Sequence, residues 1–168
     1  EVFTLANQQY ACIYPKNGRS ATEPALIGSY GNSGASPVLK TGNQTAIWDI
    51  NGLAWLAVTG LDFYAQKRDP NSPEFVDHSA TGEGSGSGLF ISGSIPGAVK
   101  GILVEGCKFR HFKSGGHYSC TVANSCEGVV HYRNVYYDQH AGPSTGHSAG
   151  LGGNGVNIQI VENIFDHN

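Results

Sequence analysis

Ile102-Leu-Val-Glu-Gly-Cys-Lys-Phe-Arg-His-Phe112, Val130-His-Tyr-Arg-Asn-Val-Tyr-Tyr-Asp-Gln-His140 and Ile158-Gln-Ile-Val-Glu-Asn-Ile-Phe-Asp-His-Asn168 align without gaps at a shift of 28 residues. Their apolar positions coincide: Ile102, Val130 and Ile158, then Val104, Tyr132 and Ile160, then Phe109, Tyr137 and Phe165. In each segment apolar residues alternate, slip by one and alternate again, the pattern of strand, bend and strand. A fourth copy, Leu56, Val58, Leu61 and Phe63, lies 46 residues before the Ile102 segment. The added length falls in Asp69 to Gly88, a Pro/Ser/Gly-rich stretch that reads as an exposed excursion at about 67–88. Charges follow the same register, with Glu105 on Arg133, Arg110 on Asp138 and then Asp166, and Asp62 on Lys108. Parallel strands stacked about 4.8 Å apart turn such columns into cross-strand ion pairs.

A period of 28 residues without a helical stretch is too short for a βαβ unit. It suits one coil of a solenoid, which buries its apolar face only by stacking on neighbouring coils. A sandwich leaves the recurrence of residue classes unexplained. The expected fold is all-β, a single right-handed parallel β-helix domain of about five or six coils. Composition agrees. Glycine is 24 of 168 residues, twice the usual ~7%, as corners require, and charged residues are only 14%. With 39% hydrophobic residues the chain is no disordered tail, and a net charge of −3 argues against a nucleic-acid partner. No run of 18 apolar residues exists, so no membrane span is expected. The chain opens on Glu1, holds no methionine and stops at Asn168 directly after a strand-like run. It reads as the middle of a longer solenoid, with further coils of the same protein as a partner.

None of the four cysteines forms a CxxC pair. Cys107 sits in an apolar alternation and reads as a small core residue. Cys120 and Cys126 are six apart in a small-residue loop, a spacing that allows a local disulfide and leaves its status open. Asn163 aligns with Cys107 and Val135 on an inward column, the start of an internal asparagine ladder.

Pro24-Ala-Leu-Ile-Gly-Ser-Tyr-Gly31, Ser36-Pro-Val-Leu39, Val161-Glu-Asn-Ile-Phe-Asp-His-Asn168 and, ahead of the last, Gly146-His147-Ser148 resemble the right-handed parallel β-helix proteins of the pectate-lyase-like superfamily. The resemblance covers roughly residues 22–168 and implies a secreted or cell-surface protein that cleaves or binds a polysaccharide. It implies calcium as a cofactor, although Asp62, Glu83, Glu105, Asp138, Glu162 and Asp166 are dispersed along the chain.

Lyases of this fold act on acidic polysaccharides by β-elimination. That reaction needs a cation on the uronate carboxylate, a base for the α-proton and a proton donor for the leaving oxygen. Five of the seven histidines lie between positions 111 and 147, interleaved with arginine and lysine. Lys113, His117, His140 and His147 are the candidate bases, and Arg110 and Arg133 the candidate carboxylate partners. His111 and Tyr136 are candidate substrate contacts, Tyr136 because the alternation turns it outward between Val135 and Tyr137. Flanking glycines around Lys113 suggest close substrate approach. Trp48, Trp55 and Tyr64 stack on sugars only if exposed, and packing is the expected role of both tryptophans. Hydrolase aspartate clusters, a P-loop, a dinucleotide fingerprint and Gly-x-Ser-x-Gly are absent. Two functions therefore stand: a polysaccharide lyase, and a non-catalytic glycan-binding surface solenoid such as an adhesin, an appendage or a phage spike component.

Overall fold

The computed structural model describes residues 2–4, 11–30, 34–77, 86–120, 125–139 and 149–167. After β1 (Val2–Thr4) the chain runs through five turns of three strands. These are β2 (Ala11–Ile13), β3 (Ala25–Gly28) and β4 (Val38–Lys40); β5 (Thr45–Asp49), β6 (Ala54–Thr59) and β7 (Asp62–Tyr64); β8 (Ser87–Gly93), β9 (Val99–Glu105) and β10 (Lys108–Arg110). Then follow β11 (Ser114–Cys120), β12 (Cys126–Tyr132) and β13 (Val135–Tyr137), and finally β14 (Ala149–Gly153), β15 (Gln159–Val161) and β16 (Ile164–Asp166). Every third strand pairs in parallel. The first wall is β2-β5-β8-β11-β14, the second β3-β6-β9-β12-β15 and the third β1-β4-β7-β10-β13-β16. This is the parallel β-helix of about five coils that the repeats predict.

The register corrects the uniform shift of 28. In the second wall Val129 lies opposite Ile102, 27 residues on, and Gln159 opposite Val130, 29 on. The third wall repeats this, with Val135 opposite Lys108 and Ile164 opposite Val135. The two offsets average 28, so coils two apart align as predicted and the coil between them is displaced by one residue. A one-residue slip exchanges the faces of a strand. Tyr136, not Tyr137, therefore continues the inward column. Phe63, Phe109, Tyr136 and Phe165 stack at centroid spacings of 5.3, 5.4 and 5.0 Å with planes within about 12°. Tyr136 has no exposed surface, which overturns its assignment as a sugar contact.

That aromatic column dictates glycines on the facing wall. A Cβ at Gly88 would lie 2.3 Å from Phe109 Cδ1, and one at Gly115 2.1 Å from Tyr136 Cδ1. Gly115 is thus shaped by the ring inside the solenoid, not by a substrate beside Lys113.

The asparagine ladder exists one residue from its expected place, on Cys107, Asn134 and Asn163. Asn134 Oδ1 accepts from the Cys107 amide at 2.9 Å, and its Nδ2 donates to the Val104 carbonyl at 2.9 Å and to Asn163 Oδ1 at 3.0 Å. Asn163 Nδ2 donates to the His131 carbonyl at 2.8 Å. Each amide satisfies backbone groups that the corner between the second and third walls leaves without ladder partners. Cys107 is fully buried, as its apolar setting indicates.

Left-handed backbone forms longitudinal rows, the first within the second wall and the other two at corners. Trp55, Gly101, Gly128 and Asn157 make one row, Gly60, Gly106, Arg133 and Glu162 a second, and His111, Asp138 and His167 a third, all with φ between 48° and 65°. The charge columns change accordingly. Arg133 Nε pairs with Glu162 Oε2 at 2.6 Å rather than with Glu105, and Arg110 Nε pairs with Asp62 Oδ1 at 2.8 Å rather than with Asp138. Asp62 and Lys108 are backbone partners, as the 46-residue shift predicts.

Candidate functional site

The third row gathers ionisable groups beside the outer face of the third wall. The excursion begins with a short 3-10 turn, Gln66–Arg68, whose Gln66 and Arg68 are buried. Gln66 Oε1 accepts from the Gly42 amide at 2.9 Å, and Arg68 Nε donates to the His111 carbonyl at 2.9 Å. This anchoring brings Asp69 over His111. His111 Nε2 lies 3.4 Å from Asp69 Oδ2 and 3.9 Å from Asp138 Oδ2, and its side chain is only 7% exposed. His167 Nδ1 continues the row, 3.6 Å from Asp138 Oδ1 and 3.3 Å from Asp166 Oδ1. Carboxylates and imidazoles thus alternate from coil to coil, and each imidazole lies 3.3–3.9 Å from two carboxylates.

Tyrosines flank the row. The Tyr64 hydroxyl donates to Asp69 Oδ2 at 2.6 Å, and the Tyr137 ring packs edge-on against His111 at 5.9 Å. Burial pushes the Asp69 carboxyl up, and the Tyr64 hydroxyl, the Asn71 amide and His111 outweigh it, leaving Asp69 below the usual carboxylate range. Burial and then Asp69 push the Tyr64 hydroxyl up, so Tyr64 is a hydrogen-bond donor rather than a base. The Arg110 guanidinium stacks 4.2 Å over the Tyr64 ring while pairing with Asp62. Among the described residues no group of three or more His, Cys, Asp or Glu side chains is arranged to hold a metal ion.

The first wall carries a different surface. Trp48, Phe90 and His117 stand on successive strands β5, β8 and β11, each opposite the next in register. Trp48 and Phe90 stack at 4.4 Å with planes 17° apart, and Phe90 and His117 at 5.3 Å with planes 5° apart. All three are partly exposed, whereas Leu89 and Ile91 beside Phe90 point inward. The next rung is Gly152, opposite His117, which brings no side chain to the column. Ser92 and Ser119 line the adjacent position, with Ser92 Oγ donating to the Ser119 carbonyl at 2.8 Å.

The sequence-predicted residues therefore separate. Arg110 and His111 meet at the third wall. His117 stands on the first wall, and Lys113 sits partly buried at the entry to its strand, its amide donating to the Gly86 carbonyl at 3.0 Å. Arg133 is exposed at the corner of the second and third walls, over the Tyr132 ring at 4.5 Å. His140 and His147 lie outside the described residues.

Inside, the slipped register creates a polar site that the sequence did not suggest. His131 is fully buried, its Nε2 2.6 Å from the Tyr118 hydroxyl and its Nδ1 2.5 Å from the Tyr136 hydroxyl. Burial lowers the imidazole from 6.5 to about 4 and raises both phenols, so the trio is neutral at pH 7.

Asp69 was hidden from sequence reasoning because it lies in the non-repeating excursion, and Phe90 because its 42-residue offset from Trp48 matches no other spacing. Set against known protein families, curated proteins and solved structures, the chain matches none.

Proposed function

We propose that this chain is a secreted or cell-surface glycan-binding β-helix, as its resemblance to the pectate-lyase-like superfamily implies, and that it holds a polysaccharide along the first wall without cleaving it. The observation that carries this reading is the outward column Trp48–Phe90–His117, ending at the side-chain-free rung of Gly152. Rings fixed by mutual stacking lose little conformational entropy on binding and offer apolar surface to the C–H groups of a sugar. The Ser92 and Ser119 positions add hydrogen-bonding groups alongside. A solenoid wall repeats these features along its axis, which suits an extended polymer.

The described cations favour binding over β-elimination. Arg110 is engaged by Asp62 and Tyr64, Arg133 by Glu162, and both lie on other faces than His117. A uronate carboxylate at the first wall has neither arginine beside it. The lyase reading retains Lys113 and His117, which share the entry and middle of β11.

The test titrates the protein with alginate, pectate, chondroitin sulfate and neutral β-glucan oligosaccharides. Trp48 emission and absorbance near 235 nm are followed together, the latter reporting an unsaturated uronate product. Binding that disappears in Phe90→Ala, with flat absorbance, is expected. Rising absorbance abolished by Lys113→Ala or His117→Ala would establish the lyase. Binding that survives loss of both Phe90 and His117 rules out the first wall.

A further inference from the structure

Cys120 ends β11 and Cys126 opens β12, on the two sides of the corner from the first to the second wall. The strand ends that flank this corner have a copy in the preceding coil. Gly93 ends β8 and Val99 opens β9, again six residues apart, and the register sets Cys120 opposite Gly93 and Cys126 opposite Val99. In that upper copy the flanking positions face each other across the turn, since a Cβ at Gly93 would lie 3.1 Å from Val99 Cγ2. In the lower copy both positions carry thiols, both are buried, and after burial the neighbouring Cys120 pushes the Cys126 thiol further up. The mutual approach of side chains from these positions is what a cystine needs. The other cysteines are committed elsewhere. Cys12 Sγ donates to the Thr41 carbonyl at 3.8 Å, and Cys107 Sγ to the Glu105 carbonyl at 3.4 Å. The four are thiols in this structure.

We infer that Cys120 and Cys126 are a covalent modification site, a thiol pair that a small-molecule disulfide oxidises to a cystine stapling the first wall to the second. One cysteine, as thiolate, attacks a sulfur of the small disulfide and expels its partner thiolate, which takes up a proton. The second cysteine gives up its proton and displaces the remaining small thiol. One S–S bond forms in the protein and one breaks in the oxidant, which is reduced to two thiols. Burial raises the Cys126 thiol, so little thiolate is present in the closed coil and exchange is fastest while the coil is still open. A cystine formed there is shielded afterwards from reductants by the same burial.

The full chain is refolded in oxidised glutathione, then denatured and alkylated without reductant. Two of the four cysteines, Cys12 and Cys107, are expected to be labelled, and a peptide joining Cys120 to Cys126 to appear about 2 Da lighter than its reduced form. Cys120→Ser is expected to give no joined peptide, with Cys126 recovered as a thiol or as its glutathione mixed disulfide. Four labelled cysteines in the wild-type chain, or a bridge between any other pair, overturn the assignment, and this map decides even where the variant does not fold. The oxidised chain is expected to melt about 5 °C above the reduced one, and a midpoint unchanged or lowered overturns the stapling role.

Discussion

Two ring columns run along this molecule, one inside the third wall and one outside the first. Phe63–Phe109–Tyr136–Phe165 and Trp48–Phe90–His117 are built alike, one ring per coil with nearly parallel planes. What differs is the space behind them. The inner rings fill the room left by Gly88 and Gly115, and Tyr136 adds a hydrogen bond to His131. The outer rings face solvent and end against a glycine. Stacking is therefore a product of coil geometry, and only the surroundings decide whether a ring column packs inside the fold or stays open to solvent.

The largest expected effect breaks the inner column. Tyr136→Ala leaves a cavity and an unpaired imidazole nitrogen, and is expected to cost on the order of 4 kcal/mol in urea unfolding. Phe90→Ala in the outer column is expected to cost about 1 kcal/mol or less while abolishing glycan binding. Equal stability losses would erase the distinction between the columns. Next comes Gly115→Ala, whose new Cβ meets the Tyr136 ring at 2.1 Å and the Gly150 carbonyl at 2.4 Å. Overpacking of this kind is expected to cost about 3 kcal/mol, read from the same transition.

The pH dependence sharpens the comparison from another side. Unfolded, His131 titrates near 6.5, and folded it titrates at about 4. Between these values the unfolded chain holds a proton that the folded chain lacks, so stability falls as pH falls through the window and is level above it. The loss by pH 4 is on the order of 3 kcal/mol, and His131→Gln is expected to remove that slope. At the small end, Arg133→Ala breaks an exposed pair with Glu162 and is expected to leave the unfolding midpoint where it was. A clear drop would mean that the corner rows stabilise the coils more than exposed ion pairs do.

The solenoid was legible because strand alternation and the recurrence of Ile102, Val104 and Phe109 survive any small error in spacing. The faces of the middle coil were not, because a uniform shift cannot represent offsets of 27 and 29. A clue was present in Asn134 and Asn163, identical residues that match only at the longer offset. Weighting that polar pair above the apolar matches would have turned Tyr136 and His131 inward. Of the candidate site, Arg110 and His111 were visible as neighbours in sequence. Their partners Asp62 and Asp69 come from another coil and from the excursion, and only the fold joins them.

The offsets have a further origin. From β11 to β14 the chain advances 35 residues, from β12 to β15 only 29, against 27 at the same places one coil earlier. The return into the first wall is eight residues longer, the next corner six shorter, and the walls remain in register regardless. Wall positions are thus counted strictly while connections are not counted at all. Such a chain is a natural display frame, in which a foreign loop spliced in place of residues 94–98 changes what the edge presents without altering which side chains the walls enclose.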